Sequence, residues 1–474
     1  MIYGYARRMT VYPGERLELC VSTTAPRFSV RVYRQGERFE AMEGGWFGSF
    51  EGVTSPLKPA GESFDWEPYL LRIPRDWPPG CYVAILVEEN SRGQRISFPD
   101  DTTPDGRDGR ALFVVRGLPD AEPAPILYKL PTFTYHAYNL PDPSHGAAER
   151  ERRGDGSDAQ TLYTGSDIVS LERNGCGTGG TPWDMFHAPD VYDPATPRHS
   201  FAHWDAKFVA WLERNGYRVE YCTDFDLHER PVESLLRHNL IVCAGHDEYW
   251  SDDMRWHLDG FIENGGNVAF FGGNLLWWRV RVFDENRAIH KTGHFFDRAH
   301  PSSRGTYDET LLTGVTFAHG GGHWVGARTA TGFTVREPGH WAFEGTGLTH
   351  GETFGARSRL VGYETDGQPF SWAALAANDT VAYDGSHAIP EGFRLLGYAD
   401  VRDWGMSLDR GEVLGNGAGV LGVYERGGTV FTAATVDWPR VLHEGNVTVD
   451  RITRNVLDRL SVRPTPRDSL DTYR

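Results

Sequence analysis

Apolar positions change period twice between Leu240 and Val282. The run LIVCA is continuous, as in a strand buried on both faces of a parallel sheet. Met254, Leu258, Phe261 and Ile262 then recur at helical spacing, and VAFF is continuous again. Ser251 is the predicted helix N-cap, with Asp252 and Asp253 in the first turn, where they favour the helix dipole. Gly265-Gly266 predict the helix end, and Gly272-Gly273 close the second strand. The pattern is a strand–helix–strand crossover. It leaves His246, Asp247, Glu248 and Tyr249 at the carboxyl end of the first strand, where open α/β sheets bind ligands. Position alone allows two readings: a functional site, or a helix-capping loop with a packed Tyr-Trp pair.

The rest of the chain arranges itself around that crossover. Residues 1–117 alternate in short segments (RLELCVST, FSVRVYRQ, LLRIP, CYVAILVEE, ALFVVRG) punctuated by Pro-Gly turns, which predicts an antiparallel β-sandwich acting mainly as a packing module. GLPDAEPAPI reads as a Pro-rich linker. Residues 118–474 then form the second expected domain. PILYKLPTFTYHAYNL reads as a strand ending in Tyr135, His136, Tyr138 and Asn139. From about 141 to 200 periodicity is lost, and Trp183, Phe186, Tyr192 and the GCGTGG run suggest an ordered flap over a site. FAHWDAKFVAWLERNG predicts an amphipathic helix, YRVEYCT a strand, and Glu233 to His238 a short helix. Repeated β-α-β units predict a doubly wound sheet. Short strands and Gly-rich turns from about 295 to 425 read as an insertion walling the site. GTVFTAATVDW reads as a returning core strand and VDRITRNVLDRL as a closing helix.

Composition narrows the function classes. At 474 residues the chain is long enough for two or three domains. Its net charge of -17, with no basic stripe, argues against a nucleic-acid or anionic-membrane partner. No apolar signal core or run of membrane length is present, and the five cysteines form no CxxC pair. The expected setting is a soluble, reducing, cytoplasmic one.

Motif chemistry excludes more than it assigns. There is no HExxH, zinc-finger spacing, GxSxG elbow or P-loop. His199 and His203, and His319 and His323, read individually as surface or capping histidines. Cys243 lies within LIVCA and not at the turn after it, where a nucleophilic thiol would stand, so it reads as a buried structural thiol.

Several segments taken together resemble the large (beta) subunit family of N,N-dimethylformamidase: FTYHAYNL (133–140), GYRVEYCTDFDLH (216–228), GHDEYWS (245–251), FFGGNLLWWRVR (270–281), HWAFEGTGLTHGETFG (340–355), LVGYETDG (360–367) and TVDWPRVL (435–442). The resemblance implies an α/β glutamine-amidotransferase-like domain behind the β-sandwich. It also implies hydrolysis of an amide C–N bond at a mononuclear iron held by two tyrosines and a glutamate. Tyr249 matches the first tyrosine and Glu364 the glutamate. Where the second tyrosine is expected the chain reads ENRAIHKT, which puts His290 at that position. Phenolate and carboxylate are hard anionic donors suited to ferric iron, whereas exchanging a phenolate for imidazole makes Fe(II), Zn(II) or another divalent ion more competitive. The resemblance thus implies a metal site of Tyr249, His290 and Glu364. Around it His246 and Glu248 are candidates for proton transfer, and Asn274 for stabilising an oxyanion. Tyr138, Asn139, Trp278, His340 and Asp437 are candidates for lining a pocket for a small amide.

The expected function is metal-dependent amide hydrolysis by a self-associating protein, with a small partner subunit as a further expectation. Two rivals remain at this stage. One is an iron-dependent oxidative enzyme, and the other a glycan- or ligand-binding protein with a vestigial α/β site.

Overall fold

The crossover forms as strand Leu240–His246, helix Asp252–Glu263 and strand Asn267–Gly273, with the two strands parallel. The Ser251 hydroxyl accepts the Met254 amide at 3.2 Å, and Gly265 leaves the helix at φ +90°. The stripe of Met254, Leu258, Phe261 and Ile262 is buried, as its spacing requires. This computed structural model describes residues 2–58, 61–106, 109–139, 162, 166–178, 189–285, 287–295, 308–324, 326–404 and 417–462. Trp183, Phe186 and most of the expected flap at 141–200 lie outside the described residues, as do 296–307 and 405–416 of the expected insertion.

The two crossover strands sit inside a nine-stranded sheet. Its order is Val219–Thr223, Ile126–Leu130, Leu240–His246, Asn267–Gly273, Gly428–Thr432, Ala418–Arg426, Arg394–Asp400, Phe333–Val335, Thr353–Phe354. The first five strands are parallel and the remaining pairings antiparallel. Arg394–Asp400 and Ala418–Arg426, inside the span expected as an insertion, are therefore strands of the central sheet. The closing helix, Val447–Leu460, buries Val449, Ile452, Val456, Leu457 and Leu460.

The N-terminal segments form a three-stranded and a five-stranded sheet around a shared core of Leu17, Leu19, Leu71, Phe28, Val30, Leu86 and Phe113. The opposite face of the five-stranded sheet is not free. Tyr33, Cys81, Val83, Ile85, Leu112 and Val114 join the core that holds Tyr128, Phe208 and Trp211. Burial on both faces explains why CYVAILV is a continuous apolar run. Arg34 and Glu213, paired at 2.5 Å, clamp the same junction. All five cysteines are unpaired and buried. Among the described residues no helix is long and apolar enough to cross a membrane.

One expected strand is half helix. Ile126–Leu130 is a strand, but Thr132–Tyr138 is an α-helix. Pro131 cannot donate to a ladder, which ends the strand. The helix start is satisfied from elsewhere in the chain: Asp224 Oδ2 accepts the Phe133 amide at 2.7 Å, and Thr132 Oγ1 accepts the Asp224 amide at 3.2 Å.

Two smaller units complete the site. A four-stranded sheet is ordered Ile168–Ser170, Ala288–His294, Trp278–Phe283, Tyr249–Ser251. A long-range antiparallel hairpin, whose arms are separated in the chain by the central-sheet strands Phe333–Val335 and Thr353–Phe354, pairs Thr316–His323 with Tyr363–Gly367. The hairpin crosses the ends of the central strands so closely that a Cβ on Gly273 would lie 2.8 Å from the Glu364 carbonyl oxygen. The glycine pair closing that strand thus makes room for the element bearing Glu364.

Candidate active site

Five elements converge at the carboxyl ends of the central strands. Leu240–His246 supplies His246 and, in the turn after it, Glu248, and strand Tyr249–Ser251 supplies Tyr249. Helix Thr132–Tyr138 supplies Tyr138, the hairpin supplies Glu364, and the turn after Gly273 supplies Asn274. All but Tyr138, which is half-buried, are buried.

Glu364 and His246 form the centre. His246 Nε2 lies 2.6 Å from Glu364 Oε2 and 3.8 Å from Glu248 Oε2. The first contact is a close ion pair whose direction is poor for a hydrogen bond from the ring N–H. Burial alone would lower the His246 pKa, but the Glu364 carboxylate, with Glu248 behind it, raises it to about 9. Burial pushes Glu364 up, and His246 more than reverses this, so its pKa is lowered. At an effective dielectric of about 20, two unit charges this close attract by about 6 kcal/mol, while burying two ions costs several kcal/mol each. The pair is therefore weak as a source of stability.

Each carboxylate is also held by neutral donors. Trp324 Nε1 donates to Glu364 Oε1 at 2.7 Å, and Asn274 Nδ2 to Oε2 at 3.4 Å. Asp366 fixes the Asn274 turn by accepting the backbone amides of Asn274 and Leu275 at 2.8 and 2.9 Å. Asn274 itself is left-handed at φ +52°, and Tyr363, adjoining Glu364, at φ +50°. Left-handed backbone at non-glycine residues concentrates where a fold holds functional groups. Glu248 Oε2 accepts the Tyr138 hydroxyl at 2.6 Å, and the Glu248 amide donates to Thr134 Oγ1 at 3.0 Å. Burial raises the Glu248 carboxyl to about 7, with His246 opposing.

Aromatic rings enclose the cluster. Tyr138 stacks on His199 at 3.7 Å and meets the rings of His246 and Tyr249 at 5.7 and 5.8 Å. His199 Nδ1 lies 3.3 Å from His246 Nδ1, and burial with the His246 charge lowers the His199 pKa well below its ordinary value. His199 Nε2 and Asn274 Oδ1 have no hydrogen-bond partner among the described residues. These two unpaired polar atoms make the cluster suited to a polar ligand.

The other expected site residues divide. Trp278 joins the site margin: it pairs with Tyr249, its amide donates to the Glu248 carbonyl at 2.9 Å, and its ring stacks on His294 at 4.0 Å. His290 is not brought to the cluster. Its strand partner is Arg281, so it shares the face opposite Trp278, with the Phe283 ring 6.4 Å from its own. Lys291 takes the site face instead, its Nζ 4.5 Å from the Trp278 ring. Asn139 pins the neighbouring loop through Asn174 O at 2.7 Å. His340 caps the turn Trp341–Phe343, with its Nδ1 accepting the Ala342 amide at 3.3 Å. Asp437 is locked between Arg328 and Arg440 at 2.7 and 2.5 Å.

Sequence reading passed over Trp324, Lys291 and Asp366 and took His199 for a surface or capping histidine, whereas it stacks on Tyr138 beside His246. Only His199 carried a signal, as a histidine next to Arg198 before a Trp-rich helix. His203, four residues on, is structural, bonding Thr196 at 2.7 Å and Asp190 at 3.3 Å.

The metal that the resemblance implies can be tested against these donors. Tyr249, Glu364, Glu248 and His246 are oxygen and nitrogen donors of the kind that hold first-row transition ions. The positive charge carried by His246 between two buried carboxylates marks a place where a cation is balanced. The donor set fits in type and charge, without His290.

The family described as "N,N-dimethylformamidase beta subunit-like, C-terminal" matches residues 33–450. The N,N-dimethylformamidase beta subunit of Paracoccus aminophilus is 30% identical over 83 residues, 17% of this chain and 11% of that protein. The beta subunit from an Alcaligenes species is 28% identical over 83 residues, with the same coverage of 17% and 11%. The aligned part thus spans about a tenth of either relative. Among solved structures, a ThuA-like protein of Bacteroides uniformis is similar at 10% identity and a TM-score of 0.30, over 53% of this chain and 82% of that one.

Proposed function

The chain belongs to the N,N-dimethylformamidase beta subunit-like, C-terminal family, and on that premise we propose that it hydrolyses the C–N bond of a small amide at a metal centre. The observation that carries the reading is the buried His246–Glu364 pair at 2.6 Å, beside Glu248, at the carboxyl ends of the central strands. Tyr249 and Glu364 are the proposed metal ligands, with His246 in contact with Glu364. Iron is the proposed ion, with zinc or another divalent metal as the alternative. Such an ion, when bound, polarises an amide carbonyl and lowers the pKa of water.

The chain's own groups supply the remaining steps. Glu248, with its carboxyl near 7, accepts a proton from the attacking water. Asn274 Nδ2, already aimed at Glu364, is available to the oxyanion of the tetrahedral intermediate. His246 holds a proton that can pass to the leaving amine, giving an acid and an amine. Tyr138, His199 and Trp278 shield the reaction from bulk water and suit small N-alkyl substituents.

We also propose a glutamine-amidotransferase-like classification for the α/β unit, supported by its five parallel strands with the cluster at their carboxyl ends. The relatives are named as beta subunits, which supports assembly with a partner subunit; self-association is proposed beside it. Five unpaired buried thiols support a reducing compartment.

The test is metal content and visible absorption of the purified chain, together with hydrolysis of N,N-dimethylformamide and related small amides, for the natural protein and Tyr249→Phe. Stoichiometric metal, amide turnover, and loss of both in Tyr249→Phe are expected. Full amidase activity after chelation would overturn the proposal.

A further inference from the structure

A second group of ligand-type side chains lies at the other end of the hairpin that carries Glu364. One carboxylate oxygen each from Asp308 and Glu309 and a ring nitrogen of His387 lie within 4.8 Å of one another. Glu364 pairs with Gly322, near one end of the hairpin, whereas Thr316, at the other, pairs with Gly367 and donates its hydroxyl to Glu309 Oε1. The group is thus distinct from the His246 cluster.

Glu309 provides an independent sign that something binds here. It is 1% exposed, and its Oε2 has no hydrogen-bond partner among the described residues. A buried carboxylate oxygen without a donor has lost its water and gained nothing in return, a deficit that a cation removes. Arg255 approaches from helix Asp252–Glu263, donating to the Asp308 backbone carbonyl at 2.7 Å and pairing with Asp259 at 3.6 Å.

His387 Nδ1 lies 2.9 Å from His319 Nε2, and Ser386 Oγ lies 3.2 Å from that same His319 nitrogen, so the His387 ring is positioned by a neighbouring polar side chain, as ligating histidines commonly are. Around a tetrahedral zinc, ligand atoms stand about 3.3 Å apart, so closing a triangle of 4.8 Å or less needs movements of about 1 Å at most.

We propose that Asp308, Glu309 and His387 bind a divalent transition ion of the zinc or manganese class, fastening the end of the hairpin remote from Glu364. Two carboxylates and one imidazole suit such an ion better than calcium, which takes oxygen ligands throughout.

Calorimetric titration of the chelator-treated full chain with Zn²⁺ tests this. Glu309→Gln and His387→Ala are each expected to lose one equivalent of Zn²⁺ relative to the natural chain. Glu364→Gln, altered only in the other cluster, is expected to retain it. His319→Ala should weaken this equivalent by roughly 10–100-fold. Unchanged stoichiometry and affinity in both Glu309→Gln and His387→Ala would overturn the site. Anomalous diffraction at the zinc edge from crystals of the natural chain gives a readout independent of any variant's folding. A peak among Asp308, Glu309 and His387 supports the proposal, and its absence from that position refutes it. Failure of the amidase reading would leave either result intact.

Discussion

Gly273 lies so close beneath Glu364 that a Cβ at position 273 would come within 2.8 Å of the Glu364 carbonyl oxygen and 3.0 Å of the Val436 amide nitrogen. Both obstacles are backbone, so neither can swing aside as a flexible side chain would. Gly273→Ala is therefore expected to displace the hairpin and with it the Glu364 carboxylate. Overpacking of this kind costs about 1–3 kcal/mol. A lowered urea midpoint together with a disproportionate fall in kcat/KM is the expected outcome. A fall in stability with unchanged kcat/KM would show that the hairpin position does not matter to catalysis.

Tyr138 and Glu248 give a prediction in pH. The hydroxyl donates to the carboxylate at 2.6 Å and so favours its ionised form. A base that must be deprotonated to act produces the acidic limb of the kcat/KM profile. Removing the donor in Tyr138→Phe raises the pKa, which lies near 7. The limb should then move to higher pH. A hydrogen bond to a charged group is worth about 1.5–3 kcal/mol, which corresponds to roughly one to two pH units. An unmoved limb would remove Glu248 from the role of base.

How much of this was legible in the sequence depended on where each residue's partners lie. The crossover from Leu240 to Gly273 was legible because strand burial, helical spacing, the Ser251 cap and Gly265 all act locally and agree. Helix Thr132–Tyr138 was not: six of its seven residues are buried, so it shows no amphipathic period. Its amide partner, Asp224, is 91 positions away. His290 and Lys291 differ by one position, and strand alternation sends one to the site and the other away. A segment read only by position cannot reveal that alternation, because a register shift at Arg279/Val280 sets it. His199 arrives from a stretch without periodicity. Glu364 was legible only through the family resemblance, because its role rests on a hairpin crossing strands formed much earlier in the chain.

Asp105 links stability to pH in the opposite sense from most carboxylates. It is buried, with the Ser200 hydroxyl 3.2 Å from Oδ2, and burial raises its pKa to about 8. In the unfolded chain the pKa is about 3.9. Between those values the native state retains a proton that the unfolded state has released. Its stabilising contribution is therefore complete below about pH 4 and is lost as pH rises towards 8, by up to about 1.4 kcal/mol per pH unit. Asp105→Asn carries no such proton and should flatten this part of the profile, gaining on the natural chain at pH 8. Urea midpoints of both chains between pH 5 and 8 measure the difference. Parallel profiles would exclude Asp105 as the linked group.

Lys129 carries the last prediction. It is fully buried in a central strand, pairs with Asp224 and, at 2.8 Å, with Asp247, and sits 4.5 Å from the Trp250 ring. Asp224 caps helix Thr132–Tyr138, and Asp247 adjoins the His246–Glu248 turn, so this one cation ties together two elements of the site. Lys129→Met fills similar space but leaves two carboxylates without their cation. Breaking a buried pair in this way costs about 3–5 kcal/mol. If the unpaired charge is the cause, adding Asp224→Asn and Asp247→Asn to Lys129→Met should recover much of that loss. If lost packing is the cause, the added changes should leave the urea midpoint where Lys129→Met put it or lower it further. In either case Tyr138 should shift with its helix, so the acidic limb of the activity profile should move in Lys129→Met even though position 129 does not touch Glu248.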